Sequence, residues 1–200
     1  MVRVGPVEHR SLGFGTVMRR YYNGVDPDHY RLGLDIRYRA AAVPPGLPSA
    51  LDLMVDNLLA GPVLGARVSW ELPRGWELAS VTAIDMVAPT AIEDDLDDHG
   101  WPGHDREVSG AYALEVAWHL RGSNPMTMAV YTTANGVGTE GFGGHLGIQI
   151  GRKTKQKWAI NGRLEAMFLG PKYTWSLIDT GYLLDRWERL DGELEQAERT

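Results

Sequence analysis

The chain contains no cysteine, which removes disulfides, iron–sulfur clusters, thiolate zinc sites and cysteine nucleophiles at once. The same absence suits a reducing compartment. Long apolar runs are also missing. Nothing approaches the ~18 consecutive apolar residues of a membrane helix, and the opening MVRVGPVEHRSLGFG lacks the apolar stretch of a signal peptide. These absences lead to the expectation of a soluble cytoplasmic protein, or of a particle assembled in the cytoplasm, with no membrane partner. Lysine is scarce, four residues against sixteen arginines, and the formal charge is −6. An acidic chain lacks the cationic surplus that drives general binding to phosphate backbones, so no general nucleic-acid binding is expected.

What is present is ordinary globular composition: 200 residues, 44% hydrophobic and 23% charged. That length suits one domain covering residues 1–200, large enough to bury a core unaided. Several segments alternate apolar and polar residues with the period of a strand. From Tyr30 the apolar positions are Leu32, Leu34, Ile36 and Tyr38, with Arg31, Asp35, Arg37 and Arg39 between them. From Ala111, the residues Tyr112, Leu114, Val116, Trp118 and Leu120 share one side. Ala111, Ala113, Glu115, Ala117, His119 and Arg121 share the other. The large apolar set is expected to pack inside. Further strands are expected at 63–72, 76–87, 126–133, 146–150 and 157–168, with Leu72–Pro73–Arg74–Gly75–Trp76 as turn chemistry. The expected fold is mainly β: an antiparallel sandwich or partly closed barrel, with Trp70, Trp118 and Trp158 in the core.

Two helices are expected within it. One follows Ser49 through LDLMVDNLLAG, with Ser49 as cap, Asp52 near the positive end and Gly61–Pro62 as terminator. The other is an amphipathic C-terminal helix over about 180–198, carrying Leu183, Trp187, Leu190 and Leu194 at helical spacing. A long acidic loop is expected from Ala88 to Ser109.

No motif survives a check of its structural context. Gly136–Gly141 fits G-x-G-x-x-G, but the β-like HLGIQI follows where a dinucleotide site needs a helix, so a Gly-rich β connection is the better reading. The stretch EDDLDDHGWPGHD has oxygen ligands in abundance, yet the spacing of an EF-hand is absent, and no metal site is assigned. Trp101 within it is a candidate contact residue. RKTKQK at 152–157 reads as a basic hairpin tip.

The polar side of the expected sheet would gather Asp85, Glu115, His119, Tyr131, Arg163 and Glu165, the candidate ligand or interface residues. Glu115 and His119 point the same way but lie four strand residues apart, about 13 Å, too far for a dyad. With no catalytic signature and no cofactor motif, the expectation is a non-enzymatic structural or assembly protein. Self-association or another protein would supply its partner, as in a virion or phage-tail subunit. The mixed charge on Arg31, Asp35, Arg37 and Arg39 would pair between subunits. The alternative is a small-molecule-binding barrel or cofactor-free enzyme using the six residues above in a polar lumen.

Overall fold

The alternating segments become strands that pair with their sequence neighbours. The computed structural model describes residues 1–23, 31–40, 43–44, 46–59, 62–96, 102–121, 126–138, 141–153, 159–171, 173 and 178–179. Its strands are β1 (Val2–Gly5), β2 (Met18–Arg19), β3 (Gly33–Arg39), β4 (Ala50–Val55), β5 (Val63–Glu71), β6 (Trp76–Leu96), β7 (Pro102–Arg121), β8 (Met126–Val137), β9 (Gly141–Lys153), β10 (Ala159–Leu169) and β11 (Ile178–Asp179). Nine form one antiparallel sheet in the order β1-β3-β4-β5-β6-β7-β8-β9-β10, while β2 and β11 make a short parallel ladder. The antiparallel β class agrees with the sequence reading. The sandwich does not: there is one large sheet, and its edges β1 and β10 do not pair, so it is not closed.

Two expected elements take a different form. The helix after Ser49 is strand β4. Its sequence also alternates: Ala50, Asp52 and Met54 are buried on one side, and Leu51, Leu53 and Val55 lie on the other. Pairing with both β3 and β5 settles the choice. The Ser49 hydroxyl, rather than capping a helix, donates to the Ser69 carbonyl at 3.0 Å and accepts from the Glu71 amide at 2.9 Å. The acidic loop is the far end of the β6–β7 hairpin, with register shifts after Asp85, Pro89 and Ile92. Trp101, Trp158 and the expected C-terminal helix lie outside the described residues. Around Gly136 and Gly141 the glycines join β8 to β9, as a β connection should.

A segment without strand periodicity, residues 6–23, crosses one face of the sheet as a strap. It doubles back on itself through the Arg10–Tyr21 bridge and a tight turn in which the Gly15 amide donates to the Leu12 carbonyl. Leu12, Val17, Met18 and Tyr21 pack on Met54, Val63, Val81, Ala83, Ala111 and Ala113. The wall is built small where the strap comes close. A Cβ added at Gly65 would stand 2.8 Å from Leu12 Cδ1.

The strap also shows that the sheet is curled. Arg10 pairs with Asp35 on β3, and only four residues on, the Phe14 carbonyl accepts from Arg163 on β10. In a flat sheet β3 and β10 would be roughly 34 Å apart at about 4.8 Å per strand. Four residues span at most about 14 Å even when extended, and these include the turn. The wall therefore wraps around the strap, which lies on the concave side.

The alternation in β7 is real, but its sense is the reverse of the sequence expectation. Ala111, Ala113, Glu115 and Ala117 are buried against the strap side. Tyr112, Leu114 and Trp118 are 55%, 52% and 40% exposed. Trp70 is likewise half-buried rather than core. Other strands repeat the inversion, with Leu146, Ile148 and Ile150 on β9 and Leu164 and Phe168 on β10 exposed. The concave face holds the charges and the convex face is apolar.

Candidate functional site

The concave face is where six residues were expected to cooperate, and it does carry all six. Two clusters form on it. Glu115 is 1% exposed; it accepts from Arg67 Nε at 3.3 Å and from the Phe14 amide at 3.0 Å. Arg67 also binds Glu77, and His119 Nε2 stands 3.6 Å from Glu77 Oε2. Glu115 and His119 are thus joined through Arg67 and Glu77 and make no direct contact, as their spacing required.

The second cluster lies across β8, β9 and β10. The Tyr131 hydroxyl donates to Glu165 Oε1 at 2.9 Å, Arg163 binds the same carboxylate, and the guanidinium sits 5.3 Å from the Tyr131 ring centre. Sequence reasoning missed two members. His145, buried on β9, has Nδ1 3.0 Å from Glu165 Oε1, and its Nε2 is 3.2 Å from the Tyr173 hydroxyl. Burial pushes the Tyr173 hydroxyl above the ordinary phenol range.

Phe14 of the strap connects the two clusters. Its amide serves Glu115, its carbonyl serves Arg163, and its ring stacks on Tyr131 at 3.9 Å between centres and 5° between planes. Asp85 is the outlier: buried opposite Val63, it lies beside Tyr21 rather than with the other five. Burial, then the neighbouring Asp56, raises the Tyr21 hydroxyl far above its usual value. Asp56 accepts from Tyr21 at 2.7 Å and from the Val63 amide at 2.6 Å, and pairs with Arg31 at 3.1 Å.

The charges of β3 lie on the same face, Asp35 buried and the Arg37 and Arg39 side chains half-exposed. Arg37 pairs with Asp35 at 2.7 Å, Arg39 with Asp52 at 2.9 Å, and Arg10 bridges Asp35 and Asp52 at 3.3 and 3.0 Å. These charges thus have partners within the chain. Asp35, Asp52, Asp56 and Glu115 each have a cation or an amide beside them. The contacts of Arg10, Phe14 and Tyr21 tie the strap to the wall. Among the described residues no three histidine, aspartate or glutamate side chains gather as metal ligands.

Two open clefts lie elsewhere, at the end of the sheet beside the β5–β6 turn. One, of about 670 Å³, is bordered by Glu71, Arg74, Trp76, Glu77, Trp118 and His119. The other, of about 590 Å³, is bordered by Val43, Pro44, Leu47, Trp70 and Leu78; both share Glu71, Leu72 and Pro73.

No family model matches the chain, and neither a curated protein nor a solved structure is significantly similar to it. Function therefore has to be argued from the geometry.

Proposed function

We propose that the curled sheet is part of the wall of a β-barrel-type membrane protein, its unpaired β1 and β10 edges closed in the bilayer by further copies of the chain, with its convex face against lipid hydrocarbon and the strap filling its interior. The observation that carries this reading is the inversion: the charged side of the sheet is the buried one and the apolar side is uncovered by described residues. A water-soluble sheet packs its large apolar side chains inward. Strands that cross a bilayer put them outward and keep polar groups inside.

Three further features agree. The sheet is antiparallel throughout and, apart from the β1–β3 step that carries the strap, runs up and down between sequence neighbours, the topology of membrane barrels. The apolar positions of β9 from Phe142 to Ile150 cover about 27 Å along the strand, or about 21 Å of depth at a 40° tilt, near the ~25 Å apolar band of such proteins. Aromatic residues stand at the strand ends of this face. Tyr38, Trp70, Trp76 and Trp118 mark one end, and Phe142 and Phe168 the other. Aromatic side chains at those positions match the two membrane–water interfaces. The absence, among the described residues, of a helix long and apolar enough to cross a membrane does not bear on strands.

Two other occupants compete for the face in water, a second copy of the chain and the amphipathic segment expected over 180–198, which lies outside the described residues; the curved shape disfavours the first. The exposed apolar expanse is of the order of 1,000 Å² from the strand spacing, beyond the largest patch of a typical monomer. Two convex faces, however, meet along a line and leave most of that area wet, whereas a fluid conforms to it. The protein is then a membrane-embedded scaffold, whose interior Glu115 and Arg163 are engaged by the strap.

The test is reconstitution. Refolded protein is offered phosphatidylcholine vesicles, and insertion is read by co-flotation, β-type circular dichroism and protection of the strands from added protease. Insertion with protection is expected. A protein that stays folded in water as a discrete dimer or ring, by light scattering, and does not float with vesicles would overturn the membrane reading in favour of assembly.

A further inference from the structure

The two clefts flanking the β5–β6 turn divide their chemistry in a way the wall does not require. In the larger one the indoles of Trp76 and Trp118, paired across β6 and β7, lie 6.1 Å apart at 21°. They are 46% and 40% exposed. Charges of both signs border them. Glu77 is committed to Arg67 and His119, while Glu71 and Arg74 are exposed on the turn side. An ammonium is drawn to an indole face and a carboxylate together, and a phosphate to a guanidinium. The smaller cleft, across Leu72 and Pro73, is bordered by Val43, Leu47, Trp70 and Leu78 and is mostly apolar away from Glu71 and Ser49.

The turn between them is built to hold its shape. Arg74 and Gly75 are both left-handed, with φ of 64° and 84°, a conformation costly for arginine. A Cβ at Gly75 would stand 2.6 Å from the His119 carbonyl, so the turn lies directly on β7. The Trp118 indole N–H donates to the Arg74 carbonyl at 3.2 Å, fixing one ring of the pair. A non-glycine residue kept left-handed by such contacts is the kind of strain found at binding sites.

The geometry points to a phospholipid site at this turn. A zwitterionic headgroup sits on the Trp76–Trp118 pair, its ammonium toward Glu71 and its phosphate toward Arg74, and an acyl chain lies in the neighbouring apolar groove. A molecule with adjoining charged and apolar parts matches two clefts that share an edge, where neither a sugar nor a free phosphate uses the second. The inference rests on the membrane reading, which places these strand ends at the height of headgroups.

Native mass spectrometry in a phosphate-free maltoside detergent tests it, titrating dihexanoyl phosphatidylethanolamine against the phosphatidylglycerol of equal chain length and against glycerophosphoethanolamine alone. Saturable binding of the ethanolamine lipid is expected, weakened roughly tenfold by Trp76→Ala, as loss of a cation–π contact implies. Glu71→Gln and Arg74→Gln, both at exposed positions, should each weaken it severalfold while leaving the circular dichroism spectrum of the folded protein unchanged. The bare headgroup and the glycerol lipid should bind at least several times more weakly. Equal binding by the two lipids, or titrations unchanged in Glu71→Gln and Arg74→Gln, would overturn the site. If vesicle insertion succeeds while no lipid binds saturably, this inference fails and the membrane reading stands. Failed insertion removes both.

Discussion

The two faces of the sheet are made by the same strands, one residue apart, and they are held by different physics. The concave face is crowded with ion pairs and small side chains and derives its order from a strap that touches five or more strands. The convex face has large aliphatic and aromatic groups with nothing from the described chain over them. On the concave side a side chain's worth is set by its specific partner. On the convex side it is set by the surrounding medium. Mutations should therefore split cleanly by the parity of their position along a strand.

The largest expected effect is on the concave side. Arg67→Ala leaves Glu115, which is 1% exposed, and Glu77 facing each other without their shared cation. A loss of about 3–5 kcal/mol of stability is expected, as for other broken buried pairs, read by denaturant unfolding in detergent. If the loss were below about 1 kcal/mol, water would be reaching the network and the face would not be an interior. Next comes the convex side. Leu114→Arg places a charge in mid-face and should cost about 2–4 kcal/mol in lipid while leaving the solubility of the detergent-free protein improved. A variant that inserts into vesicles as well as the parent would break the comparison.

Gly13→Ala is a smaller probe of the strap. Gly13 has φ +54°, and an added Cβ would run into the Glu115 carboxylate, so about 2 kcal/mol of destabilisation is expected from the left-handed backbone and the displaced contact together. In a chain that already carries Glu115→Ala the effect should shrink to the backbone part alone. The smallest effect belongs to His119→Ala. Its side chain is 47% exposed and reaches Glu77 only at 3.6 Å, so less than about 0.5 kcal/mol should be lost.

Much of the wall was legible. In β7 and β9 the period-two pattern identifies the strands and sorts their residues into two sets, and Leu72–Trp76 announces its turn. Which set faces inward was not legible, because alternation says that two environments exist and is silent on which of them holds water, lipid or protein. Tyr112, Leu114, Val116 and Trp118 look like core in any soluble frame of reference. β4 was misread because LDLMVD fits a short helix and a strand equally, and only its neighbours decide. Of the site, Glu115, His119, Tyr131, Arg163 and Glu165 were placed on the correct common face. Arg10, Phe14, Arg67, His145 and Tyr173 were missed. Residues 6–23 have no periodicity to read, and nothing local tells an arginine that its carboxylate is on a strand far along the chain.

The strap has a consequence for how the protein is made. Nearly all of the wall's pairings join strands next to each other in sequence and can close as soon as each hairpin is synthesised. Phe14, by contrast, meets its Arg163 partner 149 residues later. Such distant closure is slow, so the segment that leaves the ribosome first waits for the rest of the chain before it finds its place. Until then the acidic and basic side chains destined to lie beneath it stay hydrated. Assembly should thus end with an early-born piece sealing a late-completed shell, and folding traces should contain a final step whose rate responds to changes in residues 10–16 and hardly at all to changes in the hairpins.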